Sequence, residues 1–422
     1  MLIDLKVHQK AKYIQQKNTT RIEKATAIGI ASEVSSGSVR RKPNCAKIQE
    51  EDEVELDYAK HYLHQVPYKE VPDSQLIRET QDCSAFRIVR GYHESPLSAE
   101  EERFPLAFAL RMHDRAQQAE RVLRAIYMPQ NIYCLYIDKK AESTVHAAML
   151  GIANCFHNVF IASRLENFIY QSYSPVRADL QCMKDITATD VAWKYFINLA
   201  GSEYPLKTNL EMVRILKLLN GSNDIEQFPL PELFQYRVQY QFVTKGNTTV
   251  QSGRDKIPFV PPVELFKGCS YNLFSRAFVL WVLTDEFAQN FLKWSADTMS
   301  PDETVWATLN RQPNAPGGYS SEISQVAKNF LSREIVWPWS TAYCWGKNFV
   351  HSICILATRD LGRLTRRWEF FANKFDASYD HVVLDCLEEI MGNRTRDAHP
   401  EKTVPFDYIR RVIGGRAKNS AR

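Results

Sequence analysis

Residues 299–306 read Met-Ser-Pro-Asp-Glu-Thr-Val-Trp, and two kinds of chemistry fit them. Ser300, Pro301 and Glu303 are spaced as a helix start: the Ser caps, the Pro fills the first helical position, and the Glu reaches back to close a capping box. A carboxylate in such a turn can equally be a general base that takes the proton of an attacking hydroxyl. The two jobs compete for one side chain, because a base aimed at substrate cannot also bond the cap's N–H. Ser300 and Pro301 can still start the helix without it, with Asp302 near its positive end.

Other motifs exclude more than they suggest. No Asp-x-Asp occurs, and the nearest acidic cluster, Glu51-Asp52-Glu53, lies in a polar N-terminal stretch. A nucleotide-sugar transferase built this way must neutralise its leaving diphosphate with something other than a metal held by that motif. No Gly-x-Gly-x-x-Gly follows the first strand and no phosphate-binding P-loop is present, which argues against dinucleotide and P-loop folds. The net charge of +4 on 422 residues is too weak to argue for nucleic acid, and basic residues form no block with interleaved aromatics.

Nine cysteines are scattered with no Cys-x-x-Cys pair, so zinc-ribbon and thioredoxin readings are poor. Such dispersal favours a disulfide-bonded lumenal or secreted protein, the alternative being buried thiols in a cytosolic enzyme. Four Asn-x-Ser/Thr sequons, at Asn18, Asn220, Asn247 and Asn393, agree weakly with the first. No stretch approaches the roughly 18 apolar residues of a membrane span, and no signal-peptide pattern opens the chain.

The elements that must position Glu303 begin at Phe104. Residues 1–103 are polar and read as a largely irregular stem. From there, strand-like runs (104–112, 131–138, 158–163, 193–201) alternate with segments of helical spacing (118–128, 143–156, 174–186, 209–219). That alternation predicts an α/β fold with a parallel sheet and right-handed crossovers, occupying residues 104–395. Ligands of such sheets bind at the carboxyl ends of the strands, and Asp138 ends the second. Residues 396–422 read as a loose basic tail.

Several long blocks, in order, resemble the β1,6-N-acetylglucosaminyltransferases of the core 2 and I-branching type. They include LRAIYMPQNIYCLYIDKKAES (123–143), CFHNVFIASRLENFIY (155–170), WKYFINLAGSEYPLKTN (193–209), SPDETVWATLNR (300–311) and FANKFD (371–376). MLGIANCF (149–156) and KLLNGSNDIE (217–226) look closer to the core 2 branch. Protein-xylosyltransferase relatives fit these blocks less well.

The resemblance implies a GT-A fold with a Rossmann-like nucleotide-binding half. It implies inverting transfer of GlcNAc from UDP-GlcNAc to the 6-hydroxyl of a glycoprotein O-glycan, with no metal and no other cofactor. It also implies a Golgi location with membrane association, although this sequence displays no anchor. Core 2 branching of Galβ1,3GalNAc is the expected reaction. The alternatives are I-branching of polylactosamine, or a degenerate relative that binds UDP or glycan with little turnover.

Residue by residue, the resemblance makes Glu303 the base and Lys374 the cation on the diphosphate. A second family cation, an arginine, is His351 here, only partly charged near a pKa of about 6.5. Arg111, Met112 and His113 match a uridine-contacting turn, Asp138, Lys139 and Lys140 a second donor contact, and Tyr170 a third. Met112 could instead be core. On the acceptor side stand Glu226 and Arg237, with Phe234 where the family has a lysine, and the aromatics Trp337 and Trp339, which could also be core. Pro175 replaces an arginine at a helix start, and Ala200 a family cysteine. The implied bridges are Cys45–Cys386, Cys83–Cys155, Cys134–Cys182 and Cys344–Cys354, leaving Cys269 as a buried free thiol.

Overall fold

The computed structural model describes residues 41–319 and 330–413. Its centre is a five-stranded sheet built from β1 (Leu106–Met112), β2 (Ile132–Ile137), β3 (Val159–Ile161), β4 (Tyr195–Ala200) and the strand Leu273–Ser275. The order is Leu273–Ser275, β4, β1, β2, β3, parallel except for Leu273–Ser275 at one edge. The chain runs outward from β1 to β3, then returns to place β4 on the other side of β1. The strand order therefore reverses between β1 and β4, which is where α/β sheets open a ligand crevice.

Alternation along β1 explains how it serves two cores. Leu106, Phe108, Leu110 and Met112 enter one buried cluster, and Ala107 and Ala109 enter the other. The small alanines face the helix Ser174–Thr187, which the Cys134–Cys182 bridge fastens to β2. Arg111 continues the alanine face and meets Asp179 of that helix. Met112 is core, at 4% exposure, so the packing alternative holds for its side chain.

A smaller sheet carries the cationic end of the site. β5 (Glu203–Pro205) pairs antiparallel with Phe371–Asn373, which pairs parallel with Arg333–Ile335. Beneath it, Arg333 donates from Nε to both carboxylate oxygens of Glu203 at 3.1 Å, with both side chains buried.

The N-terminal region departs from the irregular stem expected for residues 1–103. Residues 1–40 lie outside the described part of the chain. Helices then span Cys45–Gln49, Glu53–Gln65, Asp73–Glu79, Cys83–Arg90 and Ala99–Glu102. Asn44, Asp52, Asp82 and Ser98 cap four of them. These helices are short and bury few residues each, such as Leu76, Phe86 and Ile48, so their apolar periodicity is too sparse to stand out. The Cys45–Cys386 bridge ties the first helix to the long helix His381–Asp397. The expected loose tail also differs. A helix covers Phe406–Ile413, and Val404 and Ile409 are buried in the main core, while residues 414–422 lie outside the described part.

All four bridges implied by the resemblance are present, and Cys269 is the free cysteine. Desolvation raises the Cys269 thiol far above its ordinary range. No described helix is long and apolar enough to cross a membrane.

Candidate active site

The expected helix start at Ser300 is built differently. Ser300 is left-handed, at φ 48°, and its side chain makes no capping hydrogen bond. Pro301–Glu303 form one 3-10 turn, and the α-helix starts only at Val305. A capping Ser needs extended backbone, and Ser300 instead turns the chain while its N–H donates to the Gln171 carbonyl at 2.8 Å. Asp302 accepts from Ser270, and burial raises its pKa, with the Glu303 charge adding to the effect.

The Glu303 carboxylate points away from the cap. Its Oε2 accepts from the Arg237 guanidinium at 2.6 Å and lies 3.0 Å from the Lys267 ammonium. Among the described residues, Oε1 has no partner. The backbone brings these groups together: the Gly268 N–H donates to the Glu303 carbonyl at 2.7 Å. A Cβ at Gly268 would lie 1.8 Å from the Glu226 carbonyl oxygen, so only glycine allows this approach.

Glu226 stands beside them. Burial pushes its pKa up to about 7, opposed by Lys267 and reinforced by the charges of Glu303 and Asp224. Arg237 is an ion-pair partner of Glu303 through one nitrogen, and its buried Nε has no hydrogen-bond partner among the described residues. Phe234, in place of a family lysine, sets its ring 4.4 Å from the Arg237 guanidinium and 5.4 Å from the Lys267 ammonium. Lys267 was not among the expected residues. It sits between Phe266 and Gly268 with no periodic signal, and only the glycine beside it hints at a close approach.

Toward the sheet edge, Tyr170 links the halves. Its ring stacks on His351 with centroids 4.3 Å apart and planes 16° apart. Burial raises its pKa, and the Glu303 charge adds to this. His351 and Ser352 form the left-handed turn, φ 52° and 63°, between Phe349–Val350 and Ile353–Cys354. Both central residues take the positive φ that a two-residue hairpin favours, and the Cys344–Cys354 bridge anchors it. Desolvation lowers the His351 pKa, helped by the nearby Lys374 and His113.

Lys374 follows the strand Phe371–Asn373, and its carbonyl accepts from Leu356 N–H at 2.9 Å. Burial lowers its pKa, with Glu203 opposing. Among the described residues its ammonium has no ion-pair or hydrogen-bond partner.

The donor-side residues divide. His113 is exposed, 3.5 Å from Asp114. Asp138 is 1% exposed, and its Oδ1 accepts from the Lys140 and Phe168 N–H groups at 3.1 Å. Lys139 and Lys140 are exposed, and the Lys140 ammonium bonds the Phe168 carbonyl. Asp138 thus fixes the loop that carries Tyr170. Arg111 is buried, 3.5 Å from Asp179, donates to the Pro175 carbonyl at 3.3 Å and lies over the Tyr271 ring. It is a structural cation beneath the site, with Asp179 pushed up to about 6 by burial. Trp337 and Trp339 stack on each other, 5.4 Å apart, and Trp339 is 73% exposed. This rules out core packing for Trp339. Among the described residues, no group of three or more His, Cys, Asp or Glu side chains is placed to hold a metal.

The model of the Core-2/I-Branching enzyme family matches residues 106–365, which run from the start of β1 through Glu303 to the hairpin of His351 and stop short of Lys374. The chain belongs to that family. A human β-1,3-galactosyl-O-glycosyl-glycoprotein β-1,6-N-acetylglucosaminyltransferase is 38% identical over 401 residues, covering 91% of this chain and 90% of its own. The human enzyme 3 of that name is 37% identical over 371 residues, covering 83% of each chain. The mouse enzyme 4 is 36% identical over 379 residues, covering 86% of this chain and 82% of its own. This protein is accordingly a glycosyltransferase of the β1,6-N-acetylglucosaminyltransferase family.

Proposed function

We propose that the protein makes core 2 branches, transferring GlcNAc from UDP-GlcNAc to the 6-hydroxyl of the GalNAc in Galβ1,3GalNAc on glycoproteins. The observation that carries this reading is the state of Glu303: Oε2 is held by two cations, and Oε1 has no partner among the described residues. In the reaction, Oε1 takes the proton of the 6-hydroxyl as that oxygen bonds to the donor's anomeric carbon. The bond from that carbon to the diphosphate breaks on the opposite face, with inversion, and UDP leaves with the electron pair. The Lys374 ammonium, which has no ion-pair or hydrogen-bond partner among the described residues, is suited to receive the charge that develops on the diphosphate, work that a metal does elsewhere. His113, His351 and Tyr170 frame the same region.

The names of the similar enzymes support a β1,3-galactosyl O-glycan as acceptor. Four disulfides support action in the lumen of the secretory pathway, and the family points to the Golgi. The open, exposed Trp339 face suits a sugar ring of the acceptor.

Incubation with UDP-GlcNAc and aryl Galβ1,3GalNAc in EDTA tests the reading. Transfer in the chelator is the expected result. Strict Mn²⁺ dependence would sink the metal-free mechanism. UDP binding without transfer would favour a binding-only relative, a reading that the lowered pKa of His351 keeps specific, since it removes one standing cation at neutral pH.

A further inference from the structure

We propose that Lys267 is a positioning residue for the Glu303 base: with Arg237 it pins Oε2 and so turns Oε1 to the acceptor hydroxyl. This rests on the reading of Glu303 given above. A carboxylate has two oxygens and about four acceptor sites, so two cations on one oxygen is a specific arrangement. It leaves one oxygen engaged and the other open, and a base fixed this way meets the hydroxyl in one geometry.

Three features hold Lys267 to this task. Its own strand, Phe266–Lys267, pairs with Phe228–Pro229, and the next residue, Gly268, is hydrogen-bonded to the Glu303 backbone. The ammonium and the carboxylate therefore sit on segments that cannot drift apart. The ammonium also lies 5.6 Å from the Phe228 ring and 5.4 Å from the Phe234 ring, and Phe234 seats Arg237 as well. One aromatic ring thus spaces both clamping cations. Charge gives the third. The ionisable groups facing Glu303 are Arg237, Lys267, Glu226, Asp302 and Tyr170. Without Lys267, Arg237 would be the one cation paired with Glu303 among the described residues, beside the buried carboxyl groups of Glu226 and Asp302, and the Glu303 side chain would be free to turn.

The test uses the full chain, with UDP-GlcNAc and aryl Galβ1,3GalNAc as substrates in EDTA. Lys267→Met keeps the unbranched stem of the side chain, one atom shorter, and removes its N–H groups, and Lys267→Arg restores a donor. The expected result is a kcat about 10–100-fold lower for Lys267→Met, with KM for UDP-GlcNAc within about twofold of wild type and recovery of most of the loss in Lys267→Arg. A Lys267→Met protein with wild-type kcat overturns the assignment. So does a loss that Lys267→Arg leaves uncorrected, or one that weakens donor binding to the same degree. A wild-type protein that transfers nothing overturns the reading of Glu303 itself, and the assignment with it.

Discussion

Tyr170 and His351 stack face to face, 4.3 Å between ring centroids, on the side of the site where Lys374 acts on the imidazole. The stack fixes the imidazole, and its neighbours decide its charge. Desolvation, Lys374 and His113 all lower its pKa. The unfolded chain therefore binds a proton at higher pH than the folded protein does. Stability due to neutral His351 is present above about pH 6.5 and falls as pH drops toward the folded pKa.

A bound diphosphate reverses that preference, because two negative oxygens favour the imidazolium. UDP-GlcNAc affinity should thus rise as pH falls from about 8 to 6, with proton uptake on binding. Calorimetry in two buffers of different ionisation enthalpy would measure the uptake. His351→Arg keeps a planar group able to stack on Tyr170 and carries a permanent charge. It should bind donor more tightly at pH 8, by up to about tenfold, and flatten the pH dependence. Unchanged affinity with the slope intact would remove His351 from the diphosphate site.

Glu226 makes a second pH prediction, of opposite sign. Its folded pKa, about 7, lies above the ordinary 4.5, so the folded protein holds a proton that the unfolded chain has lost. Its contribution is full below the unfolded value and declines as pH rises through about 7. Glu226→Gln should therefore match wild-type stability near pH 5 and exceed it near pH 8.5, by roughly 1–2 kcal/mol after allowance for partial exposure. Denaturant titrations at the two pH values decide this. Equal stabilities at both would show that Glu226 titrates normally.

Gly268 yields a steric prediction. Its added Cβ would collide with a backbone carbonyl, which cannot swing aside as a side chain can. Gly268→Ala should cost about 1–3 kcal/mol and lower transfer, because the Gly268–Glu303 hydrogen bond must lengthen. Thermal melts and kcat read the two effects together. An Ala variant with wild-type stability and rate would mean that Gly268 and the Glu226 carbonyl stand further apart.

How far the sequence could carry these conclusions depended on distance along the chain. The four parallel strands of the large sheet were legible, because alternating elements leave a periodic imprint, whereas the short antiparallel edge strand Leu273–Ser275 was not. Glu303 stood in a local helix-start pattern that left cap and base open, and Lys374 had no local pattern; the roles proposed for both came from blocks that resemble the family. Lys267 left no trace, and its meeting with Glu303 depends on a backbone crossing between segments 36 positions apart. The Arg111–Asp179 and Arg333–Glu203 pairs were hidden for the same reason. Local rules failed at Ser300, where a Ser-Pro-x-Glu pattern met a tertiary demand for a left-handed turn.

That failure sharpens the decisive experiment on Glu303. Glu303→Gln keeps the shape of the side chain and can still accept from Arg237, but it takes no proton. If Glu303 is the base, UDP binding and thermal stability should persist while transfer falls by roughly 10²–10⁴-fold. If its role is to tether Arg237 and Lys267, the loss should appear in stability, because a neutral amide leaves two cations without a counter-charge. Ser300 supplies the control. A capping Ser would cost about 0.5–2 kcal/mol on truncation, yet this hydroxyl caps nothing. Ser300→Ala should stay within about 0.5 kcal/mol of wild type, and Ser300→Gly should equal or exceed wild type, because glycine takes positive φ without strain. A large loss in Ser300→Ala would restore the capping role. A Glu303→Gln protein that still transfers near the wild-type rate would place the base elsewhere.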